Sequence, residues 1–436
     1  MSTKIYQKKY CRLVFKLVSS LSIGSGINDS SDHDILKDGA GKPFIPATSI
    51  AGTIRNYFKG KECVDDYFGI DEEDDPLGVN GSSSLIFYDG TLLSEEYYIT
   101  TRDSISLDEF KNIKKGAKFD MEVLEPGVCF VTYVEQSFTS PAEEDYIPLI
   151  ENAFASGELC FGYRTTRGYG RIKLLEAGER VFYFNDAFGK NNLEQWLAFD
   201  LETGSWDEVK LAREEKKREL KINLELISGI TIKRYTTQVS DETELTPDCE
   251  QLTVTINKDS IPVIPGNSWA GAFKQRMGEF GIDVYGENSI FGYVDFQNTK
   301  NKKKSSITFS ESLIMDSRPL VASRNAIDRF SGGTSTSFLF TEKSYYGGTT
   351  QLNIGWREAS PMPEEEMKVL AAAITDLHLG YMAIGGGAAL GRGRFRVTAI
   401  GGKDISSYRD EEVYDVISEA VHEVFGDRNE EVKEND

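Results

Sequence analysis

The sequence predicts an α+β protein made of two tandem domains, each with the element order βαββαβ. Two observations carry this. An early segment, Ile45 to Arg55 (IPATSIAGTIR), returns 219 positions later as Ile264 to Lys274 (IPGNSWAGAFK). Further matches keep the same order: Phe68 and Gly69 with Phe291 and Gly292, Ser84 to Asp89 (SLIFYD) with Ser306 to Glu311 (SITFSE), and Arg102 to Ser106 (RDSIS) with Arg324 to Asp328 (RNAID). Phe119 to Glu122, followed by Pro126 and Gly127, answers Phe340 to Glu342, followed by Gly347 and Gly348; Arg167 to Arg171 answers Gly391 to Arg394. At 436 residues the length allows two or three domains of roughly 100–200 residues, and the repeat selects two.

Each element has a reason. Arg12 to Val18 and Lys221 to Ile227 alternate apolar and polar residues with period 2, the pattern of a half-buried strand. After a long loop, Pro46 or Pro265 opens a run of helical spacing that reaches Phe58 or Met277, with Thr48 or Asn267 as N-cap. Two strands follow, interrupted by a long polar insertion. A second helix (Pro148 to Ser156, Glu364 to Leu379) leads into a glycine-rich loop and a last strand (Arg171 to Leu175, Arg394 to Thr398). This is the ferredoxin-like, RRM-type order, whose open sheet is a common RNA platform. The expected domains are 1–193 and 219–402, joined by a linker at 194–218. The linker's mixed-charge run, Glu208 to Arg218, reads as a solvated spacer. An acidic tail at 403–436 has helical spacing over Glu411 to Phe425 and is frayed beyond Asn429.

The formal charge is −21, from 49 basic and 70 acidic residues, which by itself speaks against a polyanionic partner. A local basic stripe matters more than the sum, however, and much of the acid lies in Asp200 to Glu215 and Arg409 to Asp436. Five scattered cysteines without a CxxC pair argue against a disulfide framework and a cysteine zinc site. Apolar runs such as Leu85 to Tyr88 fall far short of the ~20 residues of a membrane helix, and no signal-peptide core opens the chain. The expectation is a soluble cytoplasmic protein with no membrane partner.

The chemistry-bearing motifs fall into three groups. Gly162 to Arg171 (GYRTTRGYGR) and Gly385 to Arg394 (GGGAALGRGR) are basic glycine-rich loops running into a strand. Glycine lets backbone N–H groups approach an anion and arginine binds phosphate bidentately, so Arg164, Arg167, Arg171, Gly386, Gly387, Arg392 and Arg394 are candidate RNA contacts. A tight helix-to-strand turn is the bland alternative, and the recurrence of two basic copies weighs against it. A Rossmann or P-loop site is disfavoured, since a strand follows the glycines and no Gly-Lys-Ser/Thr closes them. The helix starts form the second group, with Ser49 and Ser268 near unpaired N–H groups and Arg55 and Lys274 about two turns on. The third is acidic. Asp29, Asp32, His33, Asp34 and Asp38 precede the first helix, and Asp241, Glu242, Glu244, Asp248, Glu250 and Asp259 precede its counterpart. Such carboxylates suit a divalent metal or a general base acting on a 2′-hydroxyl, and are also ordinary content of a polar loop. With three histidines in all, paired-histidine catalysis has little material.

Together these residues resemble the RAMP superfamily of CRISPR-associated proteins, which combines a ferredoxin-like core, an early Ile-Pro-Gly-x-Ser-x-x-Gly-x-x-Arg helix and a late glycine-rich loop. Within it, Arg324 to Gly333 with Phe338 to Glu342, and Arg102 to Ser106 with Phe119 to Glu122, look like the thumb insertions of backbone subunits of type III effector complexes. The resemblance spans roughly 8–175 and 219–400 and fits the fused double subunits of the type III-D and III-E branches. It implies binding of CRISPR guide RNA and of target RNA, with Arg102 and Arg324 joining the RNA contacts. It further implies assembly with a large subunit, a cap subunit and further backbone subunits, and metal-dependent endonuclease cleavage of target RNA. Asp32, with Asp38 six positions on, stands where active members carry the catalytic Asp and its Mg²⁺ or other divalent cation; Asp248 is the nearest counterpart. Copy one departs from the family in having Ala47 for the usual glycine and His33-Asp34 for Ser-Pro. A non-catalytic scaffold and a guide-processing ribonuclease using His33 are the alternative readings.

Overall fold

In each copy the first strand becomes the middle of an antiparallel sheet. The computed structural model describes residues 4–26, 31–58, 68, 83–107, 113–184, 189–211, 218–235, 247–295 and 301–427. Asp29, Asp241, Glu242 and Glu244 lie outside the described residues. The chain divides into unit 1 (Met1–Thr101, Asp120–Thr165 and Tyr169–Lys216) and unit 2 (Arg102–Phe119, Thr166–Gly168 and Lys217–Asp436).

Unit 1 runs β1 (Gln7–Leu17), α1 (Ala47–Phe58), β2 (Leu85–Phe87), β3 (Cys129–Phe138), α2 (Ile147–Ala155) and β4 (Ile172–Tyr183). The sheet order is β2-β3-β1-β4, and each neighbouring pair is antiparallel. Both helical crossovers return to a parallel strand one place removed, which leaves room for an antiparallel strand between. The alternation of β1 sends Cys11, Leu13, Phe15 and Leu17 into a core with Ile50, Ile54 and Phe58 of α1 and Ile150 and Phe154 of α2. Between β2 and β3, Ile99–Leu107 and Ile113–Leu124 pair as a separate two-stranded ribbon.

The other face of this sheet is not an open platform. The segment expected to be a spacer places Leu201 and Trp206 against Val14, Val131 and Tyr133. Tyr133 and Trp206 stack with centroids 5.7 Å apart, and Phe199 packs on Tyr10, Phe182 and Trp206. A helix, Gly189–Leu197, brings Trp196 to donate its indole N–H to the Tyr10 hydroxyl at 2.8 Å. Aromatic rings supply more buried area than a solvated run needs, and here they seal the sheet. The expected RNA platform is therefore covered in unit 1.

Unit 2 repeats the plan with β5 (Glu219–Leu226), α3 (Gly266–Glu279), β6 (Ile307–Phe309), β7 (Thr349–Trp356), α4 (Glu364–Leu379) and β8 (Phe395–Ile400), in the order β6-β7-β5-β8. Leu220, Ile222, Leu224 and Leu226 face the helices, while Lys221, Asn223 and Glu225 remain exposed. The tail helix Val413–Phe425 buries Val413, Ile417, Val421 and Phe425 in the same core. Neither repeated helix uses the expected cap. Thr48 and Asn267 lie inside the first turn, because α1 begins at Ala47 and α3 at Gly266.

One buried acid in unit 1 makes folding pH-dependent. Glu151 on α2 is 1% exposed and accepts from the Cys11 thiol at 3.2 Å; burial pushes its carboxyl up to about 7, from 4.5. The folded unit then holds this proton more tightly than the unfolded chain. The stability it contributes is full below pH 4.5 and is lost as the pH rises through about 7. We expect Glu151→Gln to flatten this slope, with the melting temperatures of variant and wild type diverging between about pH 5 and about pH 8. Equal slopes would exclude Glu151 as the source.

Candidate nucleic-acid interface

The glycine-rich loops of the two copies share one hydrogen-bonding pattern. Phe161 N–H donates to Gly170 O at 2.9 Å, as Ile384 N–H does to Gly393 O at 2.9 Å. Gly170 and Gly393 donate to Ser20 O and Gly229 O at 2.8 Å each, and Tyr163 and Gly386 to Ser22 O and Thr231 O at 2.8 Å each. Arg171 and Arg394 N–H groups donate to the Ser19 and Ser228 hydroxyls, both at 2.9 Å. These pairs align Tyr163 with Gly386, Arg164 with Gly387, Tyr169 with Arg392 and Arg171 with Arg394. Gly387 has φ of 77°, and Arg164 holds the same left-handed region at 57°, where a side chain is disfavoured.

The predicted basic contacts separate by environment. Arg394 is exposed, and Arg55, Arg164, Arg167, Arg171 and Lys274 are half-buried. Lys274 Nζ sits 4.3 Å from the centroid of the exposed Tyr285 ring. Arg392, by contrast, is 7% exposed beneath its loop and donates to Glu342 Oε2 at 2.6 Å, Ser344 Oγ at 2.9 Å and Thr231 Oγ1 at 3.0 Å. Arg324, on the thumb strand Arg318–Ile327, is exposed and lies 3.5 Å from the same Glu342 oxygen. Arg102, in unit 2, is 2% exposed and pairs with Glu311. The guanidinium groups of Arg102 and Arg392 are thus committed to interior carboxylates, and a phosphate would have to break a buried pair to reach either.

The helix starts are also occupied by protein. Ala47 N–H donates to the Asp89 carboxylate at 2.7 Å, so the positive end of α1 already faces an anion. Within unit 2, a Cβ on Gly266 would come within 2.1 Å of Arg167 O, so Arg167 main chain closes on the start of α3. Ser49 and Ser268 are half-buried and spend their N–H groups on Pro46 O and Pro265 O, 2.9 Å away. One turn further lie Gly52 and Gly271, the second glycine of the helix motif, which the sequence did not single out as contacts. Both are exposed mid-helix glycines, and a Cβ on either would meet nothing within 4 Å. Glycine costs a helix interior about 0.5–1 kcal/mol relative to alanine, so retaining one at the same place in both copies suits a surface approached by another backbone. The repeat itself was the signal for them.

The acidic loops settle a register that the sequence left open. Asp32 Oδ2 accepts from Asp120 N–H at 3.0 Å, and Asp120 Oδ1 accepts from Asp32 N–H at 2.9 Å. Asp248 Oδ2 accepts from Thr341 N–H at 2.7 Å. Asp120 follows Phe119 and Thr341 follows Phe340, so Asp32 and Asp248 are held at matching points on matching thumb strands. Both carboxylates belong to exposed residues. Asp38, expected as a partner of Asp32, instead closes a turn by accepting from Ala40 and Lys42 N–H groups at 2.9 and 2.8 Å. Asp34 is buried and accepts from the Ser31 N–H and hydroxyl. Among the described residues no group of three or more His, Cys, Asp or Glu side chains is placed to hold a metal. Asp32 and Asp120 do offer hard oxygen donors from two carboxylates, a set that suits Mg²⁺, which commonly takes one or two carboxylates and keeps its waters. In unit 2 Thr341 stands in the place of Asp120, so the carboxylate that faces Asp32 in unit 1 has no counterpart at that position.

Two ferredoxin-like units with duplicated glycine loops and duplicated acidic loops, each pinned to the strand that follows it in the sheet insertion, define a tandem-repeat α+β class of protein. A model of the RAMP superfamily matches residues 14–173 and 245–396, and the chain belongs to that superfamily in two tandem copies. Among solved structures, a chain from the cryo-EM structure of the Type III-B Cmr-beta bound to cognate target RNA is 17% identical, with a TM-score of 0.32. The match covers 41% of this chain and 62% of that one, less than two thirds of its length. No curated protein matches the chain. Among the described residues no helix is long and apolar enough to cross a membrane.

Proposed function

We propose that this chain is a double backbone subunit of a type III CRISPR effector complex, which holds guide RNA and cleaves the complementary target RNA once at each unit. The observation that carries the reading is the recurrence of one arrangement in both copies: an exposed aspartate anchored to a thumb strand, beside a basic glycine loop. Guide phosphates are assigned to Arg55, Lys274, Arg171, Arg394 and the backbone of Gly386 and Gly387, with Gly52 and Gly271 admitting the strand. Arg102 and Arg392 are assigned to holding the thumb and loop in place.

In the proposed reaction Asp32 takes the proton of a 2′-hydroxyl, and the 2′-oxygen attacks the adjacent phosphorus. The new O2′–P bond replaces the P–O5′ bond, the leaving oxygen takes a proton from water, and a 2′,3′-cyclic phosphate remains. Asp32 and Asp120 would hold Mg²⁺, which when bound supplies neutralisation of charge developing on the phosphoryl oxygens. Asp248 performs the same proton transfer in unit 2. A non-catalytic scaffold is the second reading, favoured by the purely structural hydrogen bond that each aspartate already makes.

The test has a binding arm and a cleavage arm. Gly52→Leu and Gly271→Leu are expected to weaken RNA binding while leaving the fold unchanged by circular dichroism. In the assembled complex with Mg²⁺ and guide-complementary RNA, Asp32→Asn should abolish one cut and Asp248→Asn another, each by about 100-fold or more, the scale of a lost general base. Unchanged cleavage in the double variant, at equal target binding, would leave the scaffold reading standing.

A further inference from the structure

Beside each anchored aspartate lies a solvent-facing aromatic ring with a cation set against it, and different residues supply the ring in the two units. In unit 1 Tyr163 is 49% exposed on the glycine loop, the Arg164 guanidinium lies 5.4 Å from its ring centroid, and the His33 ring is 5.6 Å away. His33 directly follows Asp32, and its carbonyl accepts from Glu122 N–H at 2.9 Å, so ring and carboxylate are carried by one pinned loop. In unit 2 glycine stands at both aligned loop positions, Gly386 and Gly387. The ring there is Phe340, 37% exposed on the thumb strand next to Thr341, with Lys233 Nζ 5.3 Å from its centroid. Lys233 reaches the loop as well, its Cε 3.8 Å from where a Cβ on Gly386 would stand.

The same pairing of ring and cation recurs beside the anchored aspartate of each unit with the ring carried differently: Phe340 keeps the place that Phe119 holds in the first copy, whereas Tyr163 is answered by Gly386. That recurrence argues for a common ligand chemistry rather than for packing. A flat, electron-poor face that also carries a phosphate satisfies both groups at once, the ring by stacking and the cation by charge. We infer that Tyr163 and Phe340 are stacking platforms for single nucleobases of the RNA, placed to hold an unpaired nucleotide beside Asp32 and Asp248. This rests on the RNA-cleaving reading above and adds to it a base-contacting residue in each unit. It also predicts a difference between the units: Tyr163 presents its base beside Asp32 and Asp120, whereas Phe340 presents its base beside Asp248 with Thr341 in the place of Asp120.

The full chain is mixed with a single-stranded oligouridylate containing 5-iodouridine, irradiated and digested, and the crosslinked peptides are identified by mass spectrometry. The expected crosslinks fall on the peptides bearing Tyr163 and Phe340. Filter binding of the same oligomer without iodine should show a loss of roughly 5- to 100-fold for Tyr163→Ala and for Phe340→Ala, with Tyr163→Phe close to wild type. The crosslink is read on the unmodified chain, so the inference remains testable should a variant misfold. Wild-type affinity in both alanine variants, with crosslinks elsewhere, would overturn the stacking platforms while leaving RNA binding intact. No retention of RNA by the wild-type chain would overturn them together with the function they rest on.

Discussion

Arg392→Ala should destabilise unit 2 by about 3–5 kcal/mol, because it strands a buried carboxylate. Glu342 is 5% exposed, and its Oε2 accepts from Arg392 at 2.6 Å; the other nearby cation, Arg324, is 3.5 Å away and itself exposed. The matched positions in unit 1 show how the same site is built without charge. Tyr169 stands for Arg392 and Met121 for Glu342, 2% and 0% exposed respectively. Replacing a whole buried ion pair by apolar groups of similar volume is often close to neutral. The double change Arg392→Tyr with Glu342→Met is therefore expected to recover most of the loss. Thr231 and Ser344 stay satisfied by their mutual hydrogen bond of 3.0 Å. Urea unfolding of the full chain measures both. A single variant no worse than the double one would show that the pair does not hold loop and thumb together.

Gly170→Ala and Gly393→Ala are expected to be the most damaging single-methyl changes in the glycine loops. A Cβ would stand 1.8 Å from Phe161 O and 1.9 Å from Ile384 O, contacts with main chain that cannot rotate away. Both residues also have positive φ, 71° and 70°. The left-handed conformation costs an L-residue about 1–2 kcal/mol, and overpacking adds about 1–3 kcal/mol. Gly391→Ala is the internal control, since it has φ of 77° and nothing within 4 Å of its Cβ. It should pay only the conformational part, about 1–2 kcal/mol. Equal losses at Gly391 and Gly393 would show that the close approach to Ile384 is relieved by movement of the loop.

Much of the fold was legible because it rests on local periodicity and on repetition. The period-2 pattern around Leu13 and Phe15 and the helical spacing after Pro46 each carry their own information, and the second copy confirms the reading of the first. Partner choice was less legible. A side chain's charge does not say whether it meets a phosphate or a carboxylate, so Arg392 and Arg394, two residues apart, read alike. The structure buries the first against Glu342 and leaves the second in solvent. The aromatic residues of 194–206 were hidden for a related reason: the nearby run of charges dominates the composition, while Phe199 and Trp206 act singly, through contacts with strands far away in the chain.

By itself the sequence determined the duplication, the βαββαβ order, the superfamily and the loops that carry acid and glycine, since all of these are written in order and spacing. Only the tertiary structure decided which loops meet which strands. It matched Asp248 to Asp32 through their bonds to Thr341 and Asp120. It also closed one sheet face with Trp206 and placed Tyr163 and Phe340 as alternative rings. Such pairings depend on distances between residues remote in sequence, which the packing of helices on a sheet sets and no local pattern encodes.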